Sequence, residues 1–154
     1  MQTTNINVTF EDRAYVGFEF TDLPLGAALQ AAMEQIDQAA DLARRAVLGD
    51  SLRALEYQIT ADEAKVFAEG GYQGEVPPTV QAWMDAADLD APAATDNILQ
   101  EATAWKNALY KIRAARLKGK QDVLKRTTHE GAVAVADEAI AAIHASIQGV
   151  GNAA

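Results

Sequence analysis

Residues 96–120, DNILQEATAWKNALYKIRAARLKGK, decide the fold. Ile98, Ala102, Trp105, Leu109 and Ile112 recur at spacings of four and three, and Arg116 holds the next seam position, so the stretch reads as one long amphipathic helix. Thr95 is placed to cap its start, and Asp96 suits the positive N-terminal end. Arg113, Arg116, Lys118 and Lys120 suit the negative C-terminal end, where Gly119 is expected to loosen the helix. Such a seam needs apolar partners, and the chain on both sides supplies candidates.

Upstream, residues 3–20 change period. Ile6, Val8 and Phe10 alternate with Asn5, Asn7 and Thr9, and Val16, Phe18 and Phe20 alternate with Tyr15, Gly17 and Glu19, as in two half-buried strands. Glu11-Asp12-Arg13 is the expected turn, although it lacks the Asn-Gly or Asp-Gly signal. A lone two-stranded hairpin is marginal in water, so these six apolar side chains need a cover. That cover is either the helices of the same chain or another chain, to whose sheet edge the segment would add strands.

Pro24 then announces a helix in which Leu25, Leu29, Ala32, Ile36, Ala39, Ala43 and Ala46 keep coiled-coil spacing, with Met33, Ala40 and Val47 widening the stripe. Gly49 ends it, and Asp50 is placed to cap a second helix, 51–69, carrying Leu52, Leu55, Ile59, Val66 and Phe67. Thr60 and Glu63 have capping-box spacing, which leaves room for a bend there. A loop over 71–79 offers Tyr72 as an anchor, and Val80, Trp83, Met84 and Ala87 share one face of a short helix, where Trp83 reads as a core anchor. Residues 85–94 read as a solvated linker. A calcium loop beginning at Asp88 would put Pro92 at its third ligand position and Leu99 where a bidentate Glu belongs. Thr127 and Glu130 then open a last helix with the stripe Ala132, Ala136, Ile140, Ile143 and Ile147, ended by Gly149 and Gly151.

The expected architecture is therefore mainly α. An N-terminal β-hairpin, residues 1–21, serves docking or oligomerisation. Long amphipathic helices over 22–148 form a helical bundle or a trimeric coiled-coil-like assembly, and 149–154 form a flexible tail. With 6% aromatic residues and abundant alanine, the side chains filling the core are small, which favours close helix packing or burial against neighbouring subunits. The interface residues expected from these patterns are Ile6, Val8, Phe10, Val16, Phe18 and Phe20 in the hairpin and Ile98, Trp105, Leu109 and Ile112 in the long helix.

Charge and motif content exclude several functions. Eight of the thirteen cationic residues and one of the 22 acids lie between Lys106 and Arg126, a local +7 against −16 elsewhere. A basic helix end in acidic company points to ion pairing within the assembly and disfavours a nucleic-acid partner. No cysteine is present, so disulfides, thiolate chemistry and cysteine zinc sites drop out. Residues 1–10 lack a basic start followed by an apolar run, so no signal peptide is expected, and no apolar stretch is long enough to span a bilayer. His129 and His144 are too far apart to serve one metal from one helix. Neither Ser51 nor Ser146 sits in a nucleophile elbow, no phosphate-binding glycine motif occurs, and the acid pairs Asp62-Glu63 and Asp137-Glu138 diverge on their helices. The sequence thus leads to a non-enzymatic protein without cofactor or metal.

One resemblance adds to this reading. Its words are Ile36-Asp37-Gln38-Ala39-Ala40, Gly49-Asp50-Ser51-Leu52-Arg53, Glu56-Tyr57, Glu63-Ala64, Gly71-Tyr72, Val76-Pro77-Pro78-Thr79-Val80-Gln81-Ala82-Trp83, Asp96-Asn97-Ile98-Leu99 and Ile112-Arg113-Ala114-Ala115-Arg116-Leu117. In this order, over about residues 30–120, the chain resembles alanine-rich helical segments of bacteriophage and prophage tail-region proteins. The resemblance is one of word order and brings no catalytic or binding residues with it. It implies a structural protein of the virion tail, a fibre-like or fibre-adaptor subunit made in the host bacterial cytoplasm, which pairs with itself, a trimer being favoured, and with other tail proteins. A soluble tail-assembly chaperone or scaffolding factor is the alternative, and a DNA-associated protein the third.

Overall fold

Glu11 and Asp12 both adopt left-handed backbone, with φ of 48° and 60°, and so form a two-residue turn of the kind that matches strand twist. They join β1 (Ile6–Phe10) to β2 (Arg13–Phe18) in an antiparallel pair. The register runs Ile6 with Phe18 but Val8 with Tyr15, so β2 carries one extra residue. The bulge falls at Gly17, whose φ of 76° suits glycine, and Asn7 Oδ1 accepts a hydrogen bond from the Gly17 N–H at 2.9 Å. The expected turn included Arg13, but Arg13 pairs with Phe10. This shorter turn puts Tyr15 and not Val16 opposite Val8, reversing the alternation expected there, while the extra residue brings Phe18 opposite Ile6. Tyr15 turns inward and is buried, while Val16 is 73% exposed.

A computed structural model describes residues 1–49 and 51–150, the side chain of Ser51 excepted. The cap expected at Asp50 and the end of the tail, 151–154, lie outside the described residues. After a 3-10 turn at Phe20–Asp22, five helices follow among the described residues: α1 (Leu25–Leu48), α2 (Ser51–Glu69), α3 (Pro78–Ala87), α4 (Ala91–Leu124) and α5 (His129–Ala145). The protein is mainly helical, an N-terminal hairpin followed by long helices that pack together. No described helix is long and apolar enough to cross a membrane.

Four helix boundaries differ from expectation, the last being the end of α5, which stops at Ala145 and leaves Ile147 of the expected stripe in a turn. Thr95 does not cap α4. It lies fully buried inside the helix and donates its hydroxyl to the Ala91 carbonyl at 2.6 Å. Asp90 caps α4 by accepting from the Ala93 N–H, with Pro92 in the first turn where its missing donor costs nothing. Gly119 does not loosen α4, which runs on to Leu124. A Cβ on Gly119 would stand 2.4 Å from the Ala139 Cβ and 3.3 Å from Ile36 Cδ1, so the missing side chain sets how closely α4 meets α5. The helix α2 is unbroken, and α5 is capped by Thr128, which accepts from Gly131 N–H, one residue after the Thr127 expected.

The chain divides into two units, one of Met1–Ala46 with Leu109–Gln148 and one built mainly of Val47–Ala108. In the first, α1 buries Ala28, Ala32, Ile36, Ala39 and Ala43 at four-three spacing, beside Ile112 and Val123 of α4 and Ala132, Ala136, Ala139 and Ile143 of α5. In the second, Ala64, Val80 and Ala94 make the buried centre, one from each of α2, α3 and α4. Three polar contacts fasten it: Thr79 to Glu63, Trp83 Nε1–H to Asn97 Oδ1 and Tyr72 to Asp96. Tyr72 also meets Phe67 edge to face, so it is an anchor as expected.

Candidate functional site

The ten interface residues expected from sequence fall into three environments. Ile6, Val8 and Phe20 are buried in the chain itself, and Ile112 is fully buried. Phe10 is half-buried with its ring against Gly26 of α1, and the Phe20 ring meets His129 of α5 edge to face. The Gln2 backbone N–H donates to Gln35 Oε1 of α1 and its carbonyl accepts from Gln35 Nε2, and the terminal amino group meets Asp137. The hairpin's inner face is thus covered by α1 and α5 of its own chain. Val16 and Phe18 remain exposed. Leu109 is half-buried in the first unit, while Ile98 and Trp105 are half-buried in the second, so α4 supplies its seam to two different cores.

The cationic end of α4 finds acids within the chain. Arg116 Nε donates to Asp37 Oδ1 at 2.6 Å, and Lys120 Nζ donates to Asp37 Oδ2. Partial burial works to raise the Asp37 pKa, but the bonds from Lys120 and Arg116 outweigh it and hold the carboxyl below its usual value. Asp122, on the helix surface, is lowered to about 2 by hydrogen bonds from Lys118 and Lys125. At least four of the eight cations in this segment, Arg116, Lys118, Lys120 and Lys125, are therefore engaged in ion pairs on the same chain.

The sign of the Asp37 shift fixes a pH dependence. A carboxyl whose folded pKa lies below its unfolded value stabilises the fold above that unfolded value, and the contribution is lost as pH falls through the folded value. Asp37→Asn is expected to destabilise the protein by about 1–2 kcal/mol at about pH 7, the site being one-third exposed. The gap from wild type should close in thermal melts as the pH falls below the ordinary aspartate range and through the lowered folded value.

Sequence reasoning missed two features. The first is the outer side of α2, where Leu55, Ile59 and Val66 are 57%, 45% and 69% exposed while Ala64 and Phe67 of the same helix are buried. Their spacing was visible, but nothing in the sequence said which of two apolar faces would stay outside. The second is a cleft of about 240 Å³ in the second unit, lined by Tyr57 and Thr60 of α2, Thr79, Ala82 and Trp83 of α3, and Asn97, Ile98, Glu101, Ala102 and Trp105 of α4. Trp83, expected as a core anchor, both packs on the buried centre and lines this cleft. Asn97, Glu101 and Trp105 recur every four residues on one face of α4, a signal hidden by the stronger apolar seam beside it.

The acids of 85–90 have separate local partners. Asp85 accepts from Gln81, Asp88 terminates α3 in left-handed backbone, and Asp90 caps α4. No group of three His, Asp or Glu converges on a common point among the described residues.

Comparison with protein-family models, with curated proteins and with solved structures returns no match.

Proposed function

We propose that this protein is an oligomeric structural subunit of a bacteriophage tail, fibre-like or adaptor in kind, acting through protein–protein contacts. The tail assignment rests on the resemblance carried by residues 30–120. The mode of action rests on one observation, the apolar outer side of α2. Leu55, Ile59 and Val66 keep the four-three phase of a helix–helix seam while remaining exposed, a costly arrangement for an isolated chain and an ordinary one for a chain that meets copies of itself. Asp62 lies in the same stripe, one turn before Val66, and a polar group in such a seam selects register and strand number at some cost in stability. Val16 and Phe18, exposed on the hairpin of the first unit, provide a second apolar patch for a neighbouring tail protein.

The triple variant Leu55→Ser, Ile59→Ser, Val66→Ser is the test. It should sediment as a single chain under conditions where wild type is oligomeric, with unchanged helix content by circular dichroism. An oligomer that survives all three changes would overturn the role given to this face.

A further inference from the structure

The outer side of α2 has a counterpart on the outer side of α4. Over residues 110–125 the sequence repeats every seven residues, as Tyr110-Lys111, Leu117-Lys118 and Leu124-Lys125, so an apolar row runs along the helix with a lysine row beside it. Ile112, Gly119 and Val123 on the opposite side are buried, whereas Tyr110, Leu117 and Leu124 are 59%, 43% and 52% exposed. Lys111 and Arg113 are exposed and make no ion pair among the described residues. Lys118 and Lys125 share the single carboxylate of Asp122, so the row stays positive.

The α2 face matches this one in spacing and in charge. Leu52, Ile59 and Val66 are also exposed and also seven apart, and residues 51–69 carry four acids and two cations against the local +7 of 106–126. Glu56 and Glu63 flank the α2 row on the same hand as the lysines flank the α4 row, and like flanks meet when two helices run antiparallel. With Leu117 set against Ile59 in that sense, Tyr110 falls opposite Val66 and Leu124 opposite Leu52. The same register brings Lys118 beside Glu56, Lys111 beside Glu63, and Arg113 beside Asp62 in the middle of the α2 stripe. Run parallel, the lysine row would instead face Gln58 and Lys65, where like charges repel. We infer that the outer side of α2 docks antiparallel on the basic outer side of α4 in a second copy of this chain. The inference rests on the oligomeric reading above and names the surface that α2 meets. Because the two faces differ, each chain offers α2 to one neighbour and α4 to another, and such contacts close into a ring or continue as a filament. An anionic lipid surface or a nucleic acid would also answer the cations. A net charge of −9 works against both, and neither accounts for the matching row on α2.

Two variants and their mixture test this by light scattering coupled to size exclusion. Leu117→Ser with Leu124→Ser removes the α4 face, and Leu55→Ser with Ile59→Ser and Val66→Ser removes the α2 face. All five side chains are exposed, so circular dichroism should show unchanged helix content. Each variant alone should run as a single chain. Mixed in equal amounts they should form a species of two chains, because each supplies the face that the other lacks. Arg113→Asp should raise the concentration at which wild type half-dissociates by about tenfold, and Asp62→Arg in the same chain should bring it back toward wild type. A wild type that is itself a single chain would remove the oligomeric reading and this inference with it. Where wild type is oligomeric and the α2 variant is a single chain, the reading stands and the inference can still fall. It is overturned by an α4 variant of wild-type mass, by a mixture that stays as single chains, or by an Arg113→Asp defect that Asp62→Arg does not relieve. Binding of anionic vesicles or duplex DNA that the α4 variant loses, with its mass unchanged, would give the face to that partner instead.

Discussion

Gly119→Ala is expected to lower the circular-dichroism melting transition by about 4–8 °C, a loss of about 2 kcal/mol. In an exposed helix interior the same change would stabilise by about 1 kcal/mol, because glycine gives up more backbone entropy than alanine. Here the sign reverses. The added methyl would meet the Ala139 Cβ at 2.4 Å, with Ile36 Cδ1 at 3.3 Å on another side, and no flexible side chain is available to yield. The helices α4 and α5 must separate, which loosens the contacts of Ile36 and Ala139 in an alanine-rich core already made of small residues. Ala139→Gly in the same background should restore part of the loss, since it removes the atom that clashes. A Gly119→Ala protein that melts at or above wild type would show that the two helices do not meet this closely.

Phe20→Ala should be more damaging, by about 3–5 kcal/mol, a large share of the stability of a domain of this size. Phe20 is 1% exposed, its ring meets His129, and its backbone N–H donates to the Thr3 carbonyl at 2.8 Å. It therefore pins both the entry to α1 and the start of α5. Val16→Ser, four residues away and exposed in the bulge, should change stability by no more than about 0.5 kcal/mol. The pair of variants separates the two roles that the hairpin's apolar residues suggested. Residues facing the chain's own helices stabilise the fold, and those facing outward are free to meet a neighbour. Since both tryptophans lie in the second unit, far-UV circular dichroism is the readout for these first-unit variants.

Helix content and order were legible because period and punctuation agreed. The α1 stripe through Ala32, Ile36, Ala39 and Ala43 is buried as its spacing required, and Gly49, Gly71 and Thr128 mark ends or starts of helices within a residue of expectation. What failed to show has specific causes. A turn of two residues, Glu11-Asp12, in place of the expected three shifts β2 by one and inverts its faces at Tyr15 and Val16, and neither this shift nor the bulge at Gly17 leaves a mark in the hydrophobic pattern beyond the glycine itself. The segment Asp90 to Ala94 looked like a linker because acids and proline suggest solvent, yet an aspartate followed by proline in the first turn is equally a helix start. Gly119 had two meanings, breaker and close contact, and only the position of Ala139 chooses between them. The cleft was hidden for a related reason. Its walls come from three helices, and no spacing along one of them announces Tyr57, Trp83 and Glu101 as neighbours.

Whether the chain works as an assembled subunit, as proposed, is decided by the absolute mass of the purified wild-type protein, from light scattering coupled to size exclusion over a range of concentrations. The account predicts a stable oligomer, three chains being the favoured number, that persists on dilution to about micromolar, as expected for an interface built on a buried apolar seam. A single-chain mass at every concentration would contradict it, and would make a monomeric helical factor acting during tail assembly the better reading.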